Sequence, residues 1–340
     1  MDPFTHAILG AAAALAVAPA RHRRAAVLAG VGGGLLPDAD IFIRSAADPM
    51  LAIEYHRHFT HSFALQPLLA VLAAALAWCL LRPFPRARTP LRALYLPALA
   101  GGISHVICDA WTSYGTRIWW PFSDQRVGLD WLSVIDPAFT LPLLVLVVIA
   151  FTMPRARWRC WAWTWVACYL SLAVVQQQRA RSALDQWLAA EDRQPQRVTV
   201  KPSFGNIIVW RAILDEGDRF QALAIRPGLT GVGLRLGQSA TRMEHDPDHR
   251  PPPAGSVQAG DIERFRHFSD NWLALVPGDG GRPVVGDMRY AMLPDRMGPL
   301  WGIKLAPERP QQHVGWVTFR SLRDEAWAEL GAMIRGHKFD

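Results

Sequence analysis

From Phe4 to Val175 the sequence is a series of apolar runs, and the polar breaks between them alternate in character. The runs are Phe4 to Pro19, Ala25 to Leu36, Phe63 to Leu81, Ala93 to Asp109, Pro137 to Met153 and Trp158 to Val175. Breaks after the first, third and fifth are rich in arginine, whereas those after the second and fourth carry aspartate, the second with histidine as well. Backbone groups in lipid must be satisfied within each segment, so such a chain is restricted to a helical bundle. About six membrane segments are expected, the first being short, since about 16 residues of helix reach roughly 24 Å.

Beyond Gln176 the pattern changes. Gln178 to Glu191 reads as an amphipathic helix, and Arg197 to Val200, Ile207 to Leu214, Phe220 to Ile225 and Val284 to Met292 read as strands. Asp261 to Val276 and Ser321 to Arg335 read as helices, and Pro247 to Gly255 as a surface loop. The expected fold is an α-helical polytopic membrane domain over residues 1–175, followed by a soluble α+β domain over residues 176–340.

A net charge of +7 raises the possibility of nucleic acid as partner. The arginines exclude it as the first reading, because they cluster between apolar runs in the positive-inside manner. Ten lie in the loops after the first, third and fifth runs, against four (Arg44, Arg57, Arg117 and Arg126) in the other breaks. The arginine-rich loops are therefore expected in the cytoplasm. The four cysteines all lie in apolar runs and have neither metal-clip nor disulfide-framework spacing. No cleavable signal peptide is expected at Met1-Asp2-Pro3-Phe4.

This orientation puts the chemistry on one face. His6 opens the first run, Asp38 and Asp40 follow the second, His56 and His61 precede the third, His105 and Asp109 end the fourth, and Asp136 precedes the fifth. All fall on the outer side, where the second half also emerges as a possible roof. Ionisable groups near lipid cost about 2.5 to 3.5 kcal/mol each on insertion scales, so a compensating partner is expected, most simply one or more divalent ions.

Each group also has a plainer reading. His105 and Asp109, four apart, share a helix face that suits one ion, or form a hydrogen-bonded pair. Asp38 and Asp40 follow Pro37 and in an extended segment point the same way; otherwise they make a turn or cap. His56-Arg57-His58-Phe59-Thr60-His61-Ser62 offers imidazole ligands, or a polar helix start at headgroup level. His6 by itself is more often structural, Asp136 before Pro137 suits an N-cap, and Thr60 and Ser62 suit caps. Arg57 can hold an oxyanion or phosphate, or a headgroup. His58, His245, His249, His267 and His313 have no partner at metal spacing and read as surface or core residues. Asp287-Met288-Arg289-Tyr290, with Trp301 and Lys304 nearby, belongs to the part that would cover the site.

Asp2-Pro3-Phe4-Thr5-His6-Ala7-Ile8-Leu9-Gly10, Leu36-Pro37-Asp38-Ala39-Asp40, the His56 to Ser62 stretch, His105-Val106-Ile107-Cys108-Asp109-Ala110-Trp111-Thr112 and Tyr114-Gly115-Thr116 together resemble the LexA-regulated, inner-membrane, metal-dependent hydrolases. Pro202-Ser203-Phe204-Gly205-Asn206 with Trp210, and Gly286 to Tyr290, look like that family's C-terminal region. The resemblance implies a bacterial inner-membrane enzyme of the SOS response, more distantly similar to zinc-dependent phospholipase C and P1 nuclease. His58 departs from the glycine common in those distant relatives.

The expected activity is hydrolysis of a phosphoester or lipid-related substrate by metal-activated water, with one to three ions, zinc foremost. His6, Asp38, Asp40, His56, His61, His105, Asp109 and Asp136 form the ligand pool, and Asp40, Asp109 and Arg57 the catalytic set. Membrane lipid and a small-molecule or lipid substrate are the expected partners, without nucleic acid. A metal-ion or proton transporter using the same cluster is the competing class; a structural membrane protein regulated during DNA damage is the third. The arginine asymmetry predicts a periplasmic C-terminus: a C-terminal alkaline phosphatase fusion should be active and a cytoplasm-only fluorescent fusion dark, and the reverse result would invert the orientation.

Overall fold

The computed structural model describes residues 1–84, 89–153, 156–278, 283–319, 324–337 and 339. Arg86, Arg88 and Arg155 of the arginine-rich loops, and Ser321 at the start of the last expected helix, lie outside them. The chain divides into two compact units: Met1–Ile43 with Tyr55–Val174, and Arg44–Glu54 with Val175–Asp340.

The first unit is helical: α1 (Pro3–Val17), α2 (Arg23–Leu35), a 3-10 helix over Leu36–Phe42, α4 (Gln66–Leu81), α5 (Arg92–Ala110), α6 (Pro137–Thr152) and the start of α7 (Ala156–Ala190). A short α3 (Met50–Tyr55) precedes α4. Aspartate followed by proline starts two of these helices. Asp2 accepts the Thr5 N–H at 3.0 Å and Asp136 the Phe139 N–H at 3.1 Å, each with proline in the first turn, where its missing N–H costs nothing.

The six expected segments reduce to fewer. Among the described residues, Ala20–Phe42 and Arg92–Ala110 are long and apolar enough to cross a membrane, and a third span exists only if Met50–His61 and Gln66–Leu81 are counted as one broken span. The helices α1 and α6, at 15 and 16 residues, are too short for the roughly 20-residue span of a normal bilayer. Hydropathy reports apolar runs, whereas spanning also needs length.

Small residues set the packing. On α4, Ala70, Ala73, Ala74 and Ala77 are buried against Ala25, Ala29, Leu94 and Ala98, while Leu68, Leu72, Leu76 and Leu80 point outward on the opposite stripe. Large apolar side chains outside and small ones inside are the pattern of helices solvated by lipid. Between α1, α2 and α5 the approach is closer still. A Cβ on Gly10 or Gly101 would run into the Gly30 carbonyl, one on Gly33 into the Ala98 carbonyl, and one on Gly34 would lie 2.5 Å from the His6 carbonyl oxygen.

The second unit carries two four-stranded antiparallel sheets, each in sequence order. One holds β1 (Arg197–Pro202), β2 (Trp210–Asp215), β3 (Arg219–Pro227) and β4 (Val232–Thr241); the other holds β5 (Leu273–Pro277), β6 (Pro283–Asp287), β7 (Trp301–Lys304) and β8 (Gly315–Thr318). Helices α8 (Val257–Phe268) and α9 (Asp324–Arg335) complete it. Ile213, Phe220, Ala222, Trp272, Ala274, Met288 and Met297 form a shared core. Arg211, buried on β2, donates to the carbonyls of Met288, Pro294 and Arg296 at 2.9, 2.8 and 2.6 Å, which fixes the segment after β6.

One expected helix is divided. Asp261 to Val276 is helical only to Phe268, because Asp270 and Asn271 take φ of 50° and 59° and turn the chain into β5. Both side chains tolerate the left-handed region, so the apolar pattern continues while the backbone changes.

The glycine seam predicts opposite outcomes for the same substitution. Gly34→Ala should destabilise the protein by about 1–3 kcal/mol through overpacking. Gly260→Ala, where a Cβ meets nothing within 4 Å on exposed α8, should be neutral or stabilising. Thermal unfolding of both variants in one detergent checks this, and equal effects would remove the seam's special role.

Candidate metal centre

The seam brings three chain segments together. Helix α1 carries His6, the 3-10 helix after α2 carries Asp38 and Asp40, and the last turn of α5 carries His105 and Asp109. A second 3-10 turn, Phe59–His61, brings His61. Gln66, buried at the start of α4, donates to the carbonyls of Thr60 and Ser62 at 2.9 and 3.1 Å and so fixes that turn.

Four atoms converge. His61 Nε2 lies 3.5 Å from Asp38 Oδ1 and 3.4 Å from Asp109 Oδ2, and His105 Nε2 lies 3.7 and 3.5 Å from the same two oxygens. The ligand atoms of Asp38, His61 and His105, and those of His6, His105 and Asp109, lie within 4.8 Å of one another, which makes two overlapping three-residue sets; the four separations above are near the about 3.3–3.4 Å between ligands of one zinc. They are too long for good hydrogen bonds between the same groups. His61 Nε2, His105 Nε2 and Asp109 Oδ2 are buried without a hydrogen-bond partner. Buried polar atoms are costly unless satisfied, so this concentration of orphans fits a cation at their centre.

The back of each imidazole is occupied. His105 Nδ1 donates to the Gly34 carbonyl at 2.7 Å, and His61 Nδ1 faces Thr60 Oγ1 at 3.0 Å and Asp40 Oδ2 at 3.4 Å. With the proton held at Nδ1, the Nε2 lone pair turns inward, the arrangement that second-shell partners impose on metal-binding histidine.

Asp38 and Asp40 therefore grip His61 from opposite edges. The extended segment expected for them is a 3-10 helix, Leu36–Phe42, in which residues two apart point in different directions. Asp38 faces the convergent atoms. Asp40 stands behind His61, accepting the Arg57 N–H at 2.7 Å and lying 3.2 Å from His56 Nδ1.

Arg57 takes a left-handed φ of 57°, an uncommon conformation for a side chain of its size. Its guanidinium donates to Thr112 Oγ1 at 2.8 Å, pairs with Asp109 Oδ1 at 3.1 Å and lies 4.9 Å over the Tyr114 ring. Its Nε is buried without a hydrogen-bond partner. Asp109 Oδ1 also receives the Met1 α-ammonium and lies 3.1 Å from His6 Nε2. The two oxygens of Asp109 thus serve different sides, and His6 stacks on His105 with ring centroids 3.7 Å apart.

Asp40, as described, and two further members of the expected ligand pool stand away from the convergent atoms. His56 is 29% exposed and meets the cluster through Asp40. Asp136, the cap of α6, accepts the Tyr169 hydroxyl at 2.9 Å; its polar partners are Phe139 and Tyr169, not the histidines. Burial pushes its carboxyl above the usual value despite those hydrogen bonds. In the second unit His313, expected to have no partner at metal spacing, is 3.0 Å from Asp261 and 3.7 Å from Asp48.

Gln66, Thr112 and the Gly34 carbonyl are positioning groups that sequence reasoning missed. Gln66 left a signal, an amide inside an apolar run. Thr112 lay within a quoted motif without a role, and a backbone carbonyl leaves no trace in side-chain spacing.

A family model described as YdjM inner membrane protein matches residues 1–180, more than half of the chain, and the chain belongs to that family. The matched region contains every residue of the convergent cluster. No curated protein and no solved structure matches the chain.

The geometry ranks the residues by metal retention. His61→Ala, His105→Ala and Asp109→Ala should each lose most of the bound metal in detergent-purified protein, whereas His56→Ala and Asp136→Asn should keep it. Elemental analysis of folded variants reads the outcome, and full occupancy in His61→Ala would dismiss the cluster as a metal site.

Proposed function

We propose that this inner membrane protein of the YdjM family is a metal-dependent hydrolase of a phosphoester or lipid-related substrate, acting at the outer membrane face. The observation carrying this reading is the set of buried, unpartnered ligand atoms on Asp109, His61 and His105, with Asp38 Oδ1 3.5 and 3.7 Å from the two imidazole nitrogens. A divalent ion there, zinc foremost, would supply a Lewis acid and a water acidified to near neutral pH.

The chain's own groups suit a catalytic rather than a purely structural centre. Asp38, His61 and His105 form a three-residue set, the number a catalytic zinc keeps when water takes the fourth position, and Asp38 is 17% exposed. Arg57 fixes the Asp109 carboxylate and keeps an unused Nε–H, a donor suited to an anionic oxygen. Asp40 orients His61, and partly exposed His56 stands 3.2 Å from that carboxylate. Ile41 and Phe42, directly after Asp40, are 57% and 74% exposed and give the rim an apolar surface suited to lipid.

The test separates hydrolysis from transport. Protein in detergent should cleave phosphoester or lipid-headgroup substrates without any gradient, chelator should abolish this, and Asp40→Asn should reduce it at least roughly tenfold, the scale of outer-shell substitutions. Metal or proton flux in sealed proteoliposomes, lost in Asp40→Asn and accompanied by no hydrolysis across a broad ester panel, would replace the hydrolase reading with a transporter.

A further inference from the structure

Residues Arg44–Glu54 belong to the second unit although they lie in sequence between Asp38 and Asp40 on one side and His56 and His61 on the other. This strap is held chiefly by one side chain. Arg264 of α8 donates to both Asp48 oxygens at 3.0 and 3.1 Å and to Glu54 Oε2 at 2.6 and 3.1 Å, and also bonds Asp261 at 3.2 Å. Asp48 in turn accepts the Met50 N–H at 3.0 Å, and Met50 is fully buried. One guanidinium thus ties the middle of the strap to its C-terminal end. Asp48, Asp261 and His313 lie close enough to hold an ion themselves, but Arg264 already supplies the positive charge among the two carboxylates.

We propose that Arg264 is a positioning residue for the metal centre, acting through the strap, and that the second unit thereby sets the centre's metal affinity. The inference rests on the metal reading above. Asp40 lies only a few residues before the strap, and His56 follows Glu54 by two, so the strap's freedom is passed to ligand-bearing segments on both sides. A chelating set loses affinity when its members must be ordered on binding. Planar, charge-assisted contacts to two carboxylates make arginine suited to this clamp and lysine a weaker substitute.

The experiment uses full-length protein in detergent and cobalt(II) as probe, with visible absorption reporting tetrahedral coordination and hydrogen exchange reporting the strap. Arg264→Met should bind cobalt at least roughly tenfold more weakly, with faster exchange in residues 44–54, and Arg264→Lys should recover part of both. Arg266→Met, which removes pairs to Glu244 and Glu263 on the same helix, should leave cobalt affinity unchanged. Unchanged affinity in Arg264→Met, or an equal loss in Arg266→Met, overturns the inference while leaving the centre intact. Absence of cobalt binding by the unaltered protein overturns the metal reading, and this inference with it.

Discussion

Backbone-to-backbone contact between α1, α2 and α5 is the constraint from which the rest of the first unit follows. Gly10, Gly30, Gly33, Gly34 and Gly101 let carbonyls occupy space that a side chain would fill. The contact does two things at once. It replaces the hydrophobic drive that lipid cannot supply between helices with close van der Waals packing. It also brings the Gly34 carbonyl to His105, so a group that exists for packing fixes the direction of an imidazole.

That dual use explains how a cluster of ionisable groups persists among apolar helices. His6, His61, His105 and Asp109 are completely buried, and the last three are held by groups outside the convergent centre. Asp40 and Thr60 hold His61, Gly34 holds His105, and Arg57 with Met1 holds Asp109. Held this way, the inward-facing atoms cannot turn toward other partners.

Much of this was legible from residue spacing, and its failures have physical causes. The i to i+4 relation of His105 and Asp109 and the clustering of charged groups at run ends pointed to the right neighbourhood. The span count failed because α1 and α6 are short, while α7, at 35 residues, has the length but not the apolarity of a span. Asp38 and Asp40 were placed side by side because Pro37 suggested extended backbone; the 3-10 helix instead separates a residue facing the centre from one supporting it. Asp136 shows the limit of counting acids on one face, since a cap before proline has the same sequence signature as a ligand. The strap was invisible because Arg264 and Asp48 are far apart in sequence, and a surface-type arginine on α8 looks like any other.

The interruption of the first unit by Arg44–Glu54 bears on how the protein is made. Neither unit is one continuous stretch, so no single cut in the chain separates them. During synthesis the strap leaves the ribosome long before α8, and at ordinary elongation rates Arg264 follows roughly 10–40 s later. For that interval the segment between the two ligand-bearing turns has no clamp. Assembly of the second unit is thus a late event in biogenesis, and a prematurely terminated chain would contain every histidine and aspartate of the cluster while lacking the part that holds the connecting strap.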